Sequence, residues 1–98
     1  MSRYQLIRDK KIHELNESLI EVCDNDDEII NFSVKEIMNL LVELKDSDYK
    51  DPDIYVDIYA VIKNIHETRS IPLDDIETLY HEKLKKDGTF SRYLLKIN

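Results

Sequence analysis

Glycine is almost absent: Gly88 is the only one in 98 residues. A P-loop or a dinucleotide fingerprint needs several glycines so that backbone can approach phosphate, and both are excluded. Cysteine is as scarce. Cys23 stands alone, which excludes an intrachain disulfide and points to a reducing cytoplasm. It has no neighbouring partner that would mark a nucleophile. No apolar run approaches the roughly 18 residues of a membrane span, and Met1-Ser2-Arg3-Tyr4 leads into charge, not into the apolar core of a signal sequence. Basic residues are outnumbered, 14 against 21 acidic, for a net charge of -7. A nucleic-acid polymer rewards excess Lys and Arg, so that partner is not expected. A small nucleotide remains open, because a metal can bridge acids to phosphates. No serine stands in a nucleophile-elbow context. His13, His66 and His81 are scattered without metal-ligand spacing.

What remains is one small domain, residues 1–98, with 42% hydrophobic residues and no repeat or linker. Its patterning is mainly helical. Residues 3–8 and Thr89 to Ile97 read as extended segments that could pair. Lys10 to about Asn16 reads as a short helix, and Leu19 to Cys23 as a short strand or more helix. Asp24 to Glu28 then offers N-cap side chains and first-turn acids. Ile30, Val34, Ile37, Leu41 and Leu44 follow at helical spacing, widened by Leu40, with Ser33 as a polar neighbour at the stripe's edge. This helix is expected to reach Asp46. Asp51-Pro52 supplies an N-cap and a first-turn proline. Ile54, Ile58, Val61, Ile62 and Ile65 form the next stripe, ending near Glu67. Asp74-Asp75 open a last helix with Ile76, Leu79, Tyr80 and Leu84 on its apolar side, and Gly88 ends it. A chain this short buries a modest share of its surface, so a homodimer or higher homo-oligomer is expected.

The acids carry the chemistry. Glu43 and Asp46 share a helical face, as do Asp53 and Asp57. If the two helices form an antiparallel hairpin, the four carboxylates converge, and a shared Mg2+ relieves their repulsion. The same acids serve equally as a solvated face in so acidic a chain. Tyr49, Tyr55 and Tyr59 can stack on a base or pack in a core. Lys83, Lys85 and Lys86 suit a helix C-terminus whether or not they touch phosphate.

An ordered set of segments completes the pattern: Tyr4 with Leu6-Ile7-Arg8-Asp9-Lys10, Leu40-Leu41-Val42-Glu43 with Asp46, Tyr55-Val56-Asp57-Ile58, Ile71-Pro72-Leu73-Asp74-Asp75-Ile76, and Lys83 to Lys86 with Gly88-Thr89-Phe90. In this the chain resembles the phosphoribosyl-ATP pyrophosphohydrolase-like branch of the all-α nucleoside triphosphate pyrophosphohydrolases, the MazG-like superfamily. The resemblance covers nearly the whole chain. It implies a helical bundle that hydrolyses a nucleoside triphosphate to the monophosphate and pyrophosphate with Mg2+. By this resemblance Glu43, Asp46 and Asp57 are the metal ligands and Asp53 a substitute fourth. Glu43 doubles as the base, and Lys83, Lys86 and Arg92 meet the phosphates, with Arg8 and Lys10 behind them. The departures are specific. Ile54 and Val42 stand where the family carries acids, and Thr89 replaces the second glycine of the closing turn. A register that moves the first acid to Leu40 keeps Glu43 and loses Asp46. A register with Glu36 in place of Glu43 stretches the spacing to Asp57 too far. The departures leave two alternatives: a relative that binds or sequesters a nucleotide without turnover, and a helical interaction module.

Overall fold

Local chemistry sets the helix boundaries in the computed structural model, which describes residues 4–97. Arg3, part of the expected extended segment, lies outside them. Asn25 begins α1 (Asp26–Asp46): its side-chain oxygen accepts from the Glu28 backbone N–H at 2.8 Å, and Asp26, Asp27 and Glu28 place negative charge in the first turn. Asp51 caps α2 (Pro52–Thr68) through the Asp53 N–H at 3.0 Å, with Pro52 where no donor is needed. The α3 helix (Leu73–Asp87) follows Pro72, and Gly88 closes it with φ +79°. All three helices begin and end within a residue or so of the sequence reading.

Two of these helices stop without glycine. After α1, the Tyr49 N–H donates to Leu44 and the Asp48 N–H to Lys45. After α2, the Ile71 N–H donates to His66 and the Ser70 N–H to Glu67. Both are Schellman closures, which place the residue after the cap in the left-handed region. Here those residues are Asp48 and Ser70, with φ of 57° and 62°, and Tyr49 follows at 61°. The Tyr55 hydroxyl braces the first turn by donating to the Tyr49 carbonyl at 3.0 Å.

The first and second helices form an antiparallel hairpin. Ser33 of α1 lies against Asn64 of α2, and near the open end Asp27 pairs with Arg69 at 2.8 Å. Ser33, expected at the edge of the apolar stripe, is instead fully buried at 0% exposure. Its hydroxyl donates to the Ile29 carbonyl and accepts from the Asn64 amide at 3.0 Å, so burial leaves it no unmet polar group. The face that α2 covers therefore runs through Ser33, Leu40 and Leu44. Val34 and Leu41, placed in the expected stripe, are about half exposed.

The ends differ from expectation as well. Asp9–Glu14 and Glu17–Leu19 are short 3-10 turns, and the backbone from Ile20 to Cys23 is irregular. No strand forms among the described residues, so the terminal segments do not pair as a sheet. Every residue from 71 to 97 is exposed. Leu40 and Leu44, each 5% exposed, are the buried apolar residues of the described chain. The radius of gyration is 16.9 Å, against about 13 Å for a compact domain of ~100 residues.

Ser70 carries a Cβ in a conformation that costs an L-residue roughly 1–2 kcal/mol, and its side chain is exposed. Glycine removes that cost and adds some unfolded-state entropy. Ser70→Gly is expected to stabilise the protein by about 0.5 kcal/mol or slightly more, read as a raised urea midpoint at unchanged slope.

Candidate functional site

The segment Leu6–Asp9 crosses the hairpin and walls off an open cleft of about 550 Å³. Tyr4 anchors it, packing edge-on against Phe32 with ring centroids 6.2 Å apart, and Lys35 lies over the same ring at 5.2 Å. On the α1 side the cleft is lined by Glu36 and Leu40, on the α2 side by Asp57, Val61, Lys63 and Asn64 among others. The Ser33–Asn64 contact explains why. In an antiparallel pair each step forward on α1 is matched by a step back on α2. Leu40 then stands level with Asp57, and Glu36 lies one turn of α1 away on the same face.

Charge in the cleft is mixed. The Arg8 guanidinium donates to Oδ1 of Asp57 and forms an ion pair with it across 49 residues of sequence. The two side chains are 54% and 43% exposed, so this bridge is worth at most about 1 kcal/mol. Lys63 pairs with Glu67 one turn on at 3.3 Å. Asp9 and Glu36 line the same space. A second open cavity begins at Leu6 and Glu36 and runs past Gln5, Phe32 and Asn39.

The expected site residues divide. Asp57 lines the cleft; Glu43, Asp46 and Asp53 are exposed and are not among its lining residues. Among the described residues no three His, Cys, Asp or Glu side chains are grouped to hold a metal ion. The four acids expected to converge are therefore not gathered as one group. Lys83 and Lys86 are exposed at the far end of α3, which touches α2 only lightly. Arg92 is exposed in the tail, its own N–H donating to the Ser91 hydroxyl. Glu36, set aside on spacing, shares the cleft with Asp57 after all. The 20 residues between them are the turn of the hairpin and its flanks, so sequence distance was a poor guide to separation in space. Lys63 and Asn64 were not singled out. The available signal was a polar Ser33 inside an apolar run, which calls for a polar partner across the interface.

Tyr55 is spent on the turn, and Tyr59 is exposed. His66 Nδ1 contacts the Ile71 carbonyl at 2.7 Å, His81 packs edge-on against Tyr80, and Cys23 is a half-buried free thiol. Comparison with protein-family models, curated proteins and solved structures finds no match.

The two polar contacts of the hairpin differ in burial, and their costs follow. Asn64→Ala is expected to cost about 1–2 kcal/mol, because it removes a partner of a buried hydroxyl. Asp57→Asn is expected to cost less than about 1 kcal/mol, because its ion pair is half in water. Equilibrium urea unfolding of both variants checks the order.

Proposed function

We propose that the cleft binds a nucleoside triphosphate together with Mg2+ and that the protein is a nucleotide pyrophosphohydrolase. One observation carries the reading: Arg8, Glu36 and Asp57, from three separate parts of the chain, line one cleft. Arg8 belongs to the Leu6-Ile7-Arg8-Asp9-Lys10 segment and Asp57 to the Tyr55-Val56-Asp57-Ile58 segment. Two stretches that carry the resemblance to the MazG-like superfamily thus meet in space.

The donor set suits a metal that arrives with its substrate. Mg2+ is commonly held by one or two carboxylates plus substrate phosphates, and dedicated protein cages are unusual for it. Glu36 and Asp57 are two such carboxylates. When bound, the ion neutralises phosphate charge and acidifies the attacking water. Glu36 accepts the proton as the water oxygen bonds to the α-phosphorus. The bond from that phosphorus to the bridging oxygen breaks, and pyrophosphate leaves. Arg8 and Lys63 meet the charge that develops on it. Glu43, Asp46 and Asp53 stand outside the cleft, so Glu36 takes the role the resemblance gave to Glu43.

A second copy of the chain is part of the same proposal. Val34, Met38 and Leu41 on α1 and Tyr55, Tyr59 and Ile62 on α2 are exposed at the spacing of a continuous helical strip. The apolar side of α3 is exposed too. Single exposed apolar residues are ordinary, but strips of this length mark association. No helix among the described residues is long and apolar enough to cross a membrane. A homodimer or higher oligomer in the cytoplasm, free of membrane, accounts for these surfaces.

Ile54 favours a second reading, binding without turnover. It is half-buried in the hairpin and cannot supply the acid that the resemblance places there. One experiment separates the two: purified protein is incubated with a panel of nucleoside triphosphates and Mg2+. Pyrophosphate release is expected, falling at least about 100-fold in Glu36→Gln and less than about twofold in Glu43→Gln, within the range of an ordinary surface change. Tight nucleotide binding with no pyrophosphate favours the binding reading. Absence of both binding and release sinks the nucleotide reading altogether.

A further inference from the structure

We propose that Arg8 exchanges partners: it holds Asp57 until a triphosphate enters the cleft, then turns to the phosphates and leaves Asp57 to the accompanying divalent cation. This rests on the nucleotide reading above and adds an order to it. Metal and triphosphate enter together, because each removes the obstacle to the other.

The pair is placed for such an exchange. Arg8 sits on extended backbone just ahead of the 3-10 turn Asp9–Glu14, outside the long helices, with φ -70° and ψ 138°. Its side chain is half in water, so little holds it to Asp57 beyond one contact. A guanidinium has five donors in a planar fork, and phosphate oxygens accept two in parallel. A triphosphate also carries more charge than one carboxylate, so it outbids Asp57. Asp57 meanwhile lies in the same cleft as Glu36. Once Arg8 has turned away, Glu36 and Asp57 keep Lys63 as the remaining cation lining that space, which favours a bound divalent ion. Lys63 is not an equal substitute, because Glu67 on its own helix already engages it.

The exchange makes binding of metal and triphosphate reciprocal, since each raises the affinity of the other by the same factor. Divalent metal alone must compete with a built-in cation. Triphosphate alone must pull Arg8 from its carboxylate and then sit near the acids of Glu36 and Asp57.

Calorimetry on the full chain tests this with MgCl2 alone, inorganic tripolyphosphate alone, and both together. Tripolyphosphate serves as the probe because it carries no base. In the wild type, the combination is expected to bind well and each component alone weakly. Arg8→Ala is expected to bind Mg2+ alone about tenfold more tightly or better, and Mg2+ with tripolyphosphate about 10- to 100-fold more weakly. Asp57→Asn, which keeps the packing if Arg8→Ala does not fold, is expected to bind metal-free tripolyphosphate about tenfold more tightly, because Arg8 is released. Unchanged Mg2+ affinity in Arg8→Ala together with unchanged tripolyphosphate affinity in Asp57→Asn overturns the exchange. If the wild type still binds the combination in that case, the nucleotide reading stands without it. If wild type and Asp57→Asn alike bind no triphosphate, both readings fall.

Discussion

The hydrogen bond from Asn64 to Ser33 decides which residues of the hairpin face one another. Ser33 is fully buried there, so its hydroxyl must be met from within the protein. A slip of one residue would turn Asn64 by about 100° and separate it from the hydroxyl. Apolar contacts tolerate such shifts more readily, because they lack direction. From this one pairing follow the Asp27–Arg69 contact near the open end and the cleft shared by Glu36, Leu40 and Asp57. The hairpin is thus a frame that converts two distant sequence segments into one surface.

That frame is thin. Two leucines are buried, and α3 lies exposed along its length. The extended dimensions of the chain, 51 × 33 × 29 Å, tell the same story. A short chain buries a small fraction of its surface even when compact. The uncovered strips on all three helices have the period that helix packing needs, and among the described residues nothing covers them. The proposed oligomer would complete this core. The cleft lies on the side where the N-terminal segment crosses, stitched down by Tyr4 on Phe32.

The helices were legible because their signals are local. Asn25 and Asp51 as caps, Pro52 in a first turn and Gly88 at an end each act within a few residues. The Schellman turns at Asp48 and Ser70 fall in the gaps left between the expected helices, though the left-handed residues themselves gave no glycine to read. Ser33 was misplaced because hydropathy ranks serine as surface, while its burial depends on a partner 31 residues away. The site was less legible for the same reason. Asp57 stood out by its segment, but Glu36 could be judged only after the hairpin register was known. Acidic spacing drew attention to Glu43, Asp46 and Asp53, and in so acidic a chain helical spacing of acids arises easily on a solvated face. Arg8 was ranked behind Lys83, Lys86 and Arg92, which lie on elements with little contact to the hairpin.

The cleft brings together a guanidinium on extended backbone, the carboxylates of Glu36 and Asp57, and an amide held by Ser33, the groups on which the proposed phosphate site draws. Each group is ordinary on a solvated surface; the proposal rests on their meeting in one cleft. Backbone amide NMR of the labelled protein during titration with ATP and Mg2+ tests it most directly. Shifts centred on Leu6–Asp9, Glu36, Asp57, Lys63 and Asn64 are predicted. Shifts confined to Glu43–Asp46, Asp53 or the lysines of α3, or no shifts at all, would contradict it.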